Sequence, residues 1–160
     1  MKGKSTQTKS KTKAQGMVEF AIALPILMIM LYGMLEAGRA VFIYSTVVTA
    51  AREAVRYGSA MGIHEVGGVP GYQDCAGIMN AAERTDFLNV IENSNITIQF
   101  DKGPGTATFA ACPASIVVNG DRISVQVSAP FALIVPIVPL QSFTFTSSSS
   151  RTILASVNIY

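Results

Sequence analysis

Hydrophobic positions along this chain change period twice, and each change marks a different kind of element. From Phe20 through Leu35 sixteen consecutive residues carry no charge. At about 1.5 Å per residue such a run makes a helix of roughly 24 Å, slightly short of a hydrocarbon core of about 30 Å. Flanking apolar residues and snorkelling ends close that gap, so the segment about 17–37 is predicted to span a bilayer. Beyond it the pattern turns amphipathic, with Val41, Tyr44, Val48, Ala51, Val55 and Gly58 at helical spacing and Arg39, Arg52, Glu53 and Arg56 between them. One long helix to about residue 61 follows, with Pro25 a candidate kink. The glycines from Gly62 to Gly77 predict a loop, and Asn80–Glu92 shows an imperfect helical stripe.

After residue 95 the period becomes two. Ile96, Ile98 and Phe100, then Ile123, Val125 and Val127, then Phe143 and Phe145 alternate with polar residues, and Ile153 to Ile159 make a last run. These are predicted strands with one wet face. Asn119 and Gly120 suit a tight hairpin between a strand at 115–118 and the strand from Ile123. The stretch Pro130 to Pro139 is too short to span and is expected to be a loop covering the sheet, while the serines at 147–150 fit a turn or an exposed strand. The fold class is therefore α+β: a long N-terminal hydrophobic helix packed on a small antiparallel β-sheet.

Composition agrees with a membrane-linked chain. Of 160 residues, 49 % are hydrophobic and 14 % charged, well under the roughly 25 % charged residues of a typical soluble domain. Five of the twelve basic residues (Lys2, Lys4, Lys9, Lys11, Lys13) precede residue 15 without an acid, leaving seven basic against ten acidic residues and a net of −3 elsewhere. The basic character belongs to a polar tail, 1–16, expected to be flexible, and gives no indication of nucleic-acid binding. A basic flank stays cytoplasmic, which predicts an N-in, C-out topology with residues 62–160 as an extracytoplasmic headgroup.

Chemistry-bearing clusters are few. One histidine, His64, and two cysteines make neither a four-cysteine nor a two-cysteine, two-histidine zinc site, and no phosphate-binding glycine loop occurs, so no cofactor is expected. His64 reads as a loop residue, and Asp74, Glu83, Asp86 and Glu92 as a solvated face. In an oxidising compartment Cys75 and Cys112 form an intrachain disulfide, the alternatives being free thiols or an intermolecular bond. Gly33 and Ala37, and Ala50 and Ala54, have the four-residue spacing of small residues that lets helices approach closely. Glu36 and Arg39 are placed to neutralise one another at the outer end of the span.

A basic leader, a small residue, then Glu19 at the mouth of an uninterrupted apolar helix is the informative junction. The block Gln15 to Phe20, followed by Ala21 to Leu35, Glu36, Gly38, Arg39, and Ala50, Ala51, Arg52, Glu53, Ala54, Arg56 and Tyr57, resembles the TadE-like pseudopilins of the tight adherence (Tad, Flp or type IVc) pilus systems. The resemblance is close over residues 15–60 and confined to strand pattern beyond them. It implies a non-catalytic minor pilin whose basic leader, 1–14, is removed by a prepilin peptidase between Ala14 and Gln15, which places Glu19 at mature position +5 and Phe20 at +6. The usual residue before the cut is glycine; here it is Ala14, and cleavage after Gly16 would put Glu19 at +3. Other implied partners are sibling pseudopilins, the Flp pilin, and the inner-membrane platform with its assembly ATPase. A self-polymerising major subunit and an unprocessed single-pass anchor for a binding domain remain competing readings of the same pattern.

Overall fold

The computed structural model describes residues 9–60, 68–113, 115–118, 120–135 and 142–154. Its elements are helix α1 (Lys9–Gly58), helix α2 (Cys75–Glu83), a 3-10 turn at Asn93–Asn95, and strands β1 (Ile96–Asp101), β2 (Ala110–Ala111), β3 (Arg122–Phe131) and β4 (Phe143–Thr152). The four strands form one antiparallel sheet in the order β2-β1-β3-β4. The fold is α+β, with a long apolar N-terminal helix and a small antiparallel sheet, as the hydrophobic periods predict.

The chain divides into two compact units, residues 1–39 and 40–160. The first is the N-terminal part of α1, which runs unbroken through Pro25. Residues 9–16, expected to be flexible, are already helical. Lysine, alanine and glutamine are good helix formers, and adding a turn to an existing helix avoids the cost of nucleation. Residues 1–8 of the expected tail lie outside the described residues.

The second unit is built around the last turns of α1. Ile43, Val47, Ala50, Ala51, Ala54 and Val55 are buried on that helix, against Ile78 and Ala82 of α2 and Ile98, Phe100, Ile123, Val125, Val127 and Ala129 of the sheet. The predicted stripe holds at Ala51, Val55 and Gly58 and fails at its start, where Val41 and Tyr44 are exposed and Ile43 and Val47 take the core positions. Both sets have helical spacing, so periodicity alone leaves the facing side open. Gly58, closing α1, lets the sheet come close, since a Cβ there would lie 2.5 Å from Ile123 Cδ1.

Several local expectations are corrected. The short helix lies at Cys75–Glu83, not Asn80–Glu92, because Asp74 caps it by accepting a hydrogen bond from Gly77 N–H at 2.9 Å. Asp74 and Asp86 therefore serve structure and not a solvated face; Asp86 accepts from Ile91 N–H at 2.6 Å. Residues 115–118 are not a strand. The turn leading into β3 is instead closed by Asp121, whose carboxylate accepts from Val118 N–H at 2.9 Å, with Gly120 at φ +95°; Asn119 lies outside the described residues. Pro130 belongs to β3, so the covering loop begins later than expected, and its residues 136–141 lie outside the described residues. Of the two readings of the serines at 147–150 the exposed strand is the one found: they extend the predicted Phe143–Phe145 strand as the middle of β4, paired residue for residue with Ser124–Val127, and β4 ends before the run predicted from Ile153. Ile153 is buried and bonds its N–H to Asp121 O at 2.8 Å; residues 155–160 and His64 lie outside the described residues.

A charged pair ties the strands at one end of this sheet. Arg122 donates from Nε and Nη2 to Asp101 Oδ1 and Oδ2 at 2.7 and 2.9 Å, and Ser124 Oγ donates to the same carboxylate at 3.2 Å. The Arg122 guanidinium holds the Asp101 carboxyl below its ordinary value of 3.8. A lowered folded-state pKa means the stabilisation is full above the unfolded value and is lost as pH falls through the folded one. Asp101→Asn is expected to cost about 2 kcal/mol at neutral pH, as for a hydrogen-bonded charge with its partner left behind. Urea midpoints in detergent check this, with the gap between the two proteins closing below pH 3.8.

Candidate assembly surface

In the first unit α1 presents its side chains outward. Residues 15–31 are all exposed, with Met17 at 75 % and Phe20 at 65 % relative accessibility. An exposed run of this length and hydropathy belongs in an apolar phase, and α1 is long and apolar enough to cross a membrane. Gln15, Val18, Glu19 and Ile22 lie one helical turn apart and line one groove; Gly16, Met17, Phe20, Ala21 and Leu24 line another. Glu19 and Phe20 thus sit on adjoining faces at the entrance of the apolar run. Glu19 makes no ion pair among the described residues, and the expected processing bond, Ala14–Gln15, lies within the helix.

At the far end of this unit the charges are satisfied locally. Arg39 donates to Glu36 Oε2 from Nε at 3.2 Å and from Nη2 at 2.8 Å, and Tyr32 donates its hydroxyl to Glu36 Oε1 at 3.1 Å. The expected Glu36–Arg39 pairing is present, and Tyr32 is a third member that the sequence reading missed. Its i,i+4 spacing to Glu36 was the available signal. A carboxylate paired this way is less costly at the end of an apolar run.

The four small residues separate. Gly33 and Ala37 are exposed, and Gly33 has open space around it, so this pair is free to receive another helix. Ala50 and Ala54 are fully buried in the headgroup core, where their size lets α1 lie close to the sheet.

Cys75 and Cys112 form the intrachain disulfide, with a Cα–Cα distance of 5.8 Å. It ties the first residue of α2 to the segment just past β2. Beside it, Tyr57 of α1 donates its hydroxyl to Asp74 Oδ2 at 2.6 Å, and this bond to a carboxylate raises the phenol's pKa. Gly77 is required at this corner, since a Cβ would collide with the Tyr57 hydroxyl and the Asp74 carboxylate. Helix propensity alone would favour alanine at this position by roughly 1 kcal/mol. The collision reverses the sign: Gly77→Ala is expected to destabilise by about 1–3 kcal/mol, measured as a lowered urea midpoint.

Among the described residues no cluster of histidine, cysteine, aspartate or glutamate is placed to hold a metal ion. No curated protein and no solved structure matches this chain. Residues 14–56 match the sequence model of the family described as TadE-like protein. That stretch covers the exposed apolar run, Glu19, the Tyr32–Glu36–Arg39 cluster and nearly all of the helix that supplies the headgroup core, so it is in this helix that the chain is similar to TadE-like proteins.

Proposed function

We propose that this chain is a non-catalytic minor pilin, or pseudopilin, for biogenesis of a Tad-type adhesive pilus. It is held in the bacterial inner membrane as a single-pass N-in, C-out protein until a prepilin peptidase removes its basic leader. The observation that carries this reading is a TadE-like helix whose apolar half is exposed throughout and begins at one acidic residue, Glu19. An exposed apolar rod suits both lipid and a bundle of like helices, so a subunit built on it is able to pass from one to the other.

Removal of residues 1–14 would create an α-amino group of pKa about 7.7–8.0 at Gln15, one helical turn from Glu19. In a bundle of neighbouring subunits, that ammonium from one chain and Glu19 from the next satisfy each other, and mis-stacked registers leave a charge unpaired. The partners on this reading are the peptidase, other pseudopilins and the Flp pilin, the inner-membrane platform, and the lipid bilayer.

The test is N-terminal mass spectrometry of the protein from native membranes, with and without the cognate peptidase. A mature start at Gln15 is expected. A start at Met17 moves the cut to Gly16, and one at Gly38 or Arg39 marks a secreted domain. An intact Met1 in both samples marks a plain anchor and rejects the proposal.

A further inference from the structure

The positive charge left over in the headgroup is gathered in one place. Residues 40–160 carry six basic and eight acidic side chains, a net of −2. Two of the six basic residues are paired, Arg122 with Asp101 and Lys102 with Asp121. Of the other four, Arg56, Arg84 and Arg151 line two adjoining hollows of about 420 Å³ each, and Arg52 lines neither. Arg56 and Arg151 line the first and Arg56 and Arg84 the second, so Arg56 is a wall that both share.

Three different elements bring these guanidiniums together. Arg56 is in the last turn of α1 and Arg84 caps the end of α2, places where a cation also offsets the helix dipole. The dipoles do not account for Arg151. Antiparallel pairing sets Arg151 of β4 opposite Ile123, on the sheet face that Gly58 of α1 packs against, so strand register carries it to the end of α1. All three arginines are exposed. Arg84 and Arg151 make no ion pair among the described residues, and Arg56 has Glu53 at 3.7 Å. One acid thus faces three guanidiniums, and like charges held side by side leave the groove short of anions.

We propose that this groove is a docking site for an acidic, extended segment of a partner protein, whose carboxylates meet Arg84, Arg56 and Arg151 in turn. A planar guanidinium binds a carboxylate through two parallel hydrogen bonds, and clustered arginines are a recurrent means of reading acidic motifs. A nucleic acid or an acidic sugar chain offers the same charge but draws on ring stacking as well. Among the described residues the groove's one ring is Tyr57, half-buried and with its hydroxyl held by Asp74. The rest of the net-negative headgroup repels an acidic chain, so the groove also decides where such a segment lands.

Fluorescence anisotropy of a labelled octaglutamate peptide, titrated with the full chain in a non-ionic detergent, tests this, with octaglutamine as the uncharged probe. Arg151→Gln and Arg84→Gln are each expected to weaken octaglutamate binding about tenfold, the effect of one charge-assisted contact. Arg52→Gln removes the same charge outside the groove and is expected to leave binding within about twofold at physiological salt. The lysines before residue 15 are common to every variant, so binding to them is insensitive to all three changes. The substituted side chains are exposed, and matching urea midpoints show that the fold is intact. Equal weakening by all three substitutions overturns the proposal, because a general field would then be at work, and so does no weakening by any. Octaglutamine binding as tight as octaglutamate overturns it too. So does tighter binding of an oligothymidylate or oligogalacturonate of equal charge that Arg151→Gln releases, which assigns the groove to another class of polyanion.

Discussion

A Glu19→Ala variant is expected to reach the membrane at normal levels and to be absent from assembled pili. Insertion is indifferent to the change, because removing a carboxylate from the mouth of an apolar helix makes transfer into lipid easier. Assembly is not. On the proposed function, the amino group exposed by leader removal loses its partner in the low-dielectric interior of a subunit bundle, and stranding one member of a buried pair costs about 3–5 kcal/mol. At about 1.4 kcal/mol per factor of ten, that is a drop in incorporation of more than a hundredfold. Immunoblots of sheared pili against total membranes measure the ratio. Glu19→Asp, which keeps the charge on a shorter stem, should recover part of the incorporation, a recovery that general damage to the helix would not produce. Incorporation of the alanine variant at wild-type levels would remove the pairing role.

The second large effect is on stability. Replacing Cys75 and Cys112 together by serine is expected to cost roughly 3–4 kcal/mol, the loop-closure stabilisation of a bridge of this length in the chain-entropy model. The sequence separation is 37 residues, and the loop contains α2, the 3-10 turn, β1 and β2. Losing it frees α2 first, since that helix keeps only Ile78 and Ala82 fully in the core and is capped through Asp74. Urea unfolding in detergent gives the total. Amide exchange should rise sharply at Cys75–Glu83 and little in β3, which is paired along its length with β4 and β1. An unchanged midpoint would mean the cysteines contribute nothing to the folded headgroup.

What was legible in the sequence follows from how local each signal is. The apolar run and the two-residue alternation of β1 and β3 are properties of short windows, and these carried the fold class. So was the cysteine pair, since two cysteines in one oxidising compartment allow one intrachain bridge. The helix cap at Asp74 was missed because its bonds go to Gly77 and to Tyr57, the latter 17 residues upstream, and glycine in a loop-rich window masked the start of α2. The Asp101–Arg122 pair was missed for a similar reason, as strand register alone brings those residues together. β4 reads poorly because its centre is four serines, which have no hydrophobic period. Glu19, Phe20 and the small residues are assembly candidates on sequence grounds, but only folding separates Gly33 and Ala37, left open, from Ala50 and Ala54, taken into the core.

About a third of the headgroup core comes from α1, with Ile43, Val47, Ala50, Ala51, Ala54 and Val55 gripping the sheet over more than three turns. Force carried by α1 within the headgroup is therefore resisted as shear shared among stacked side chains and not as peeling from one end. Mechanical resistance then follows the rate at which this helix slides out of its seat, so that core substitutions along Ile43–Val55 should weaken the subunit under tension more than equally destabilising changes in α2.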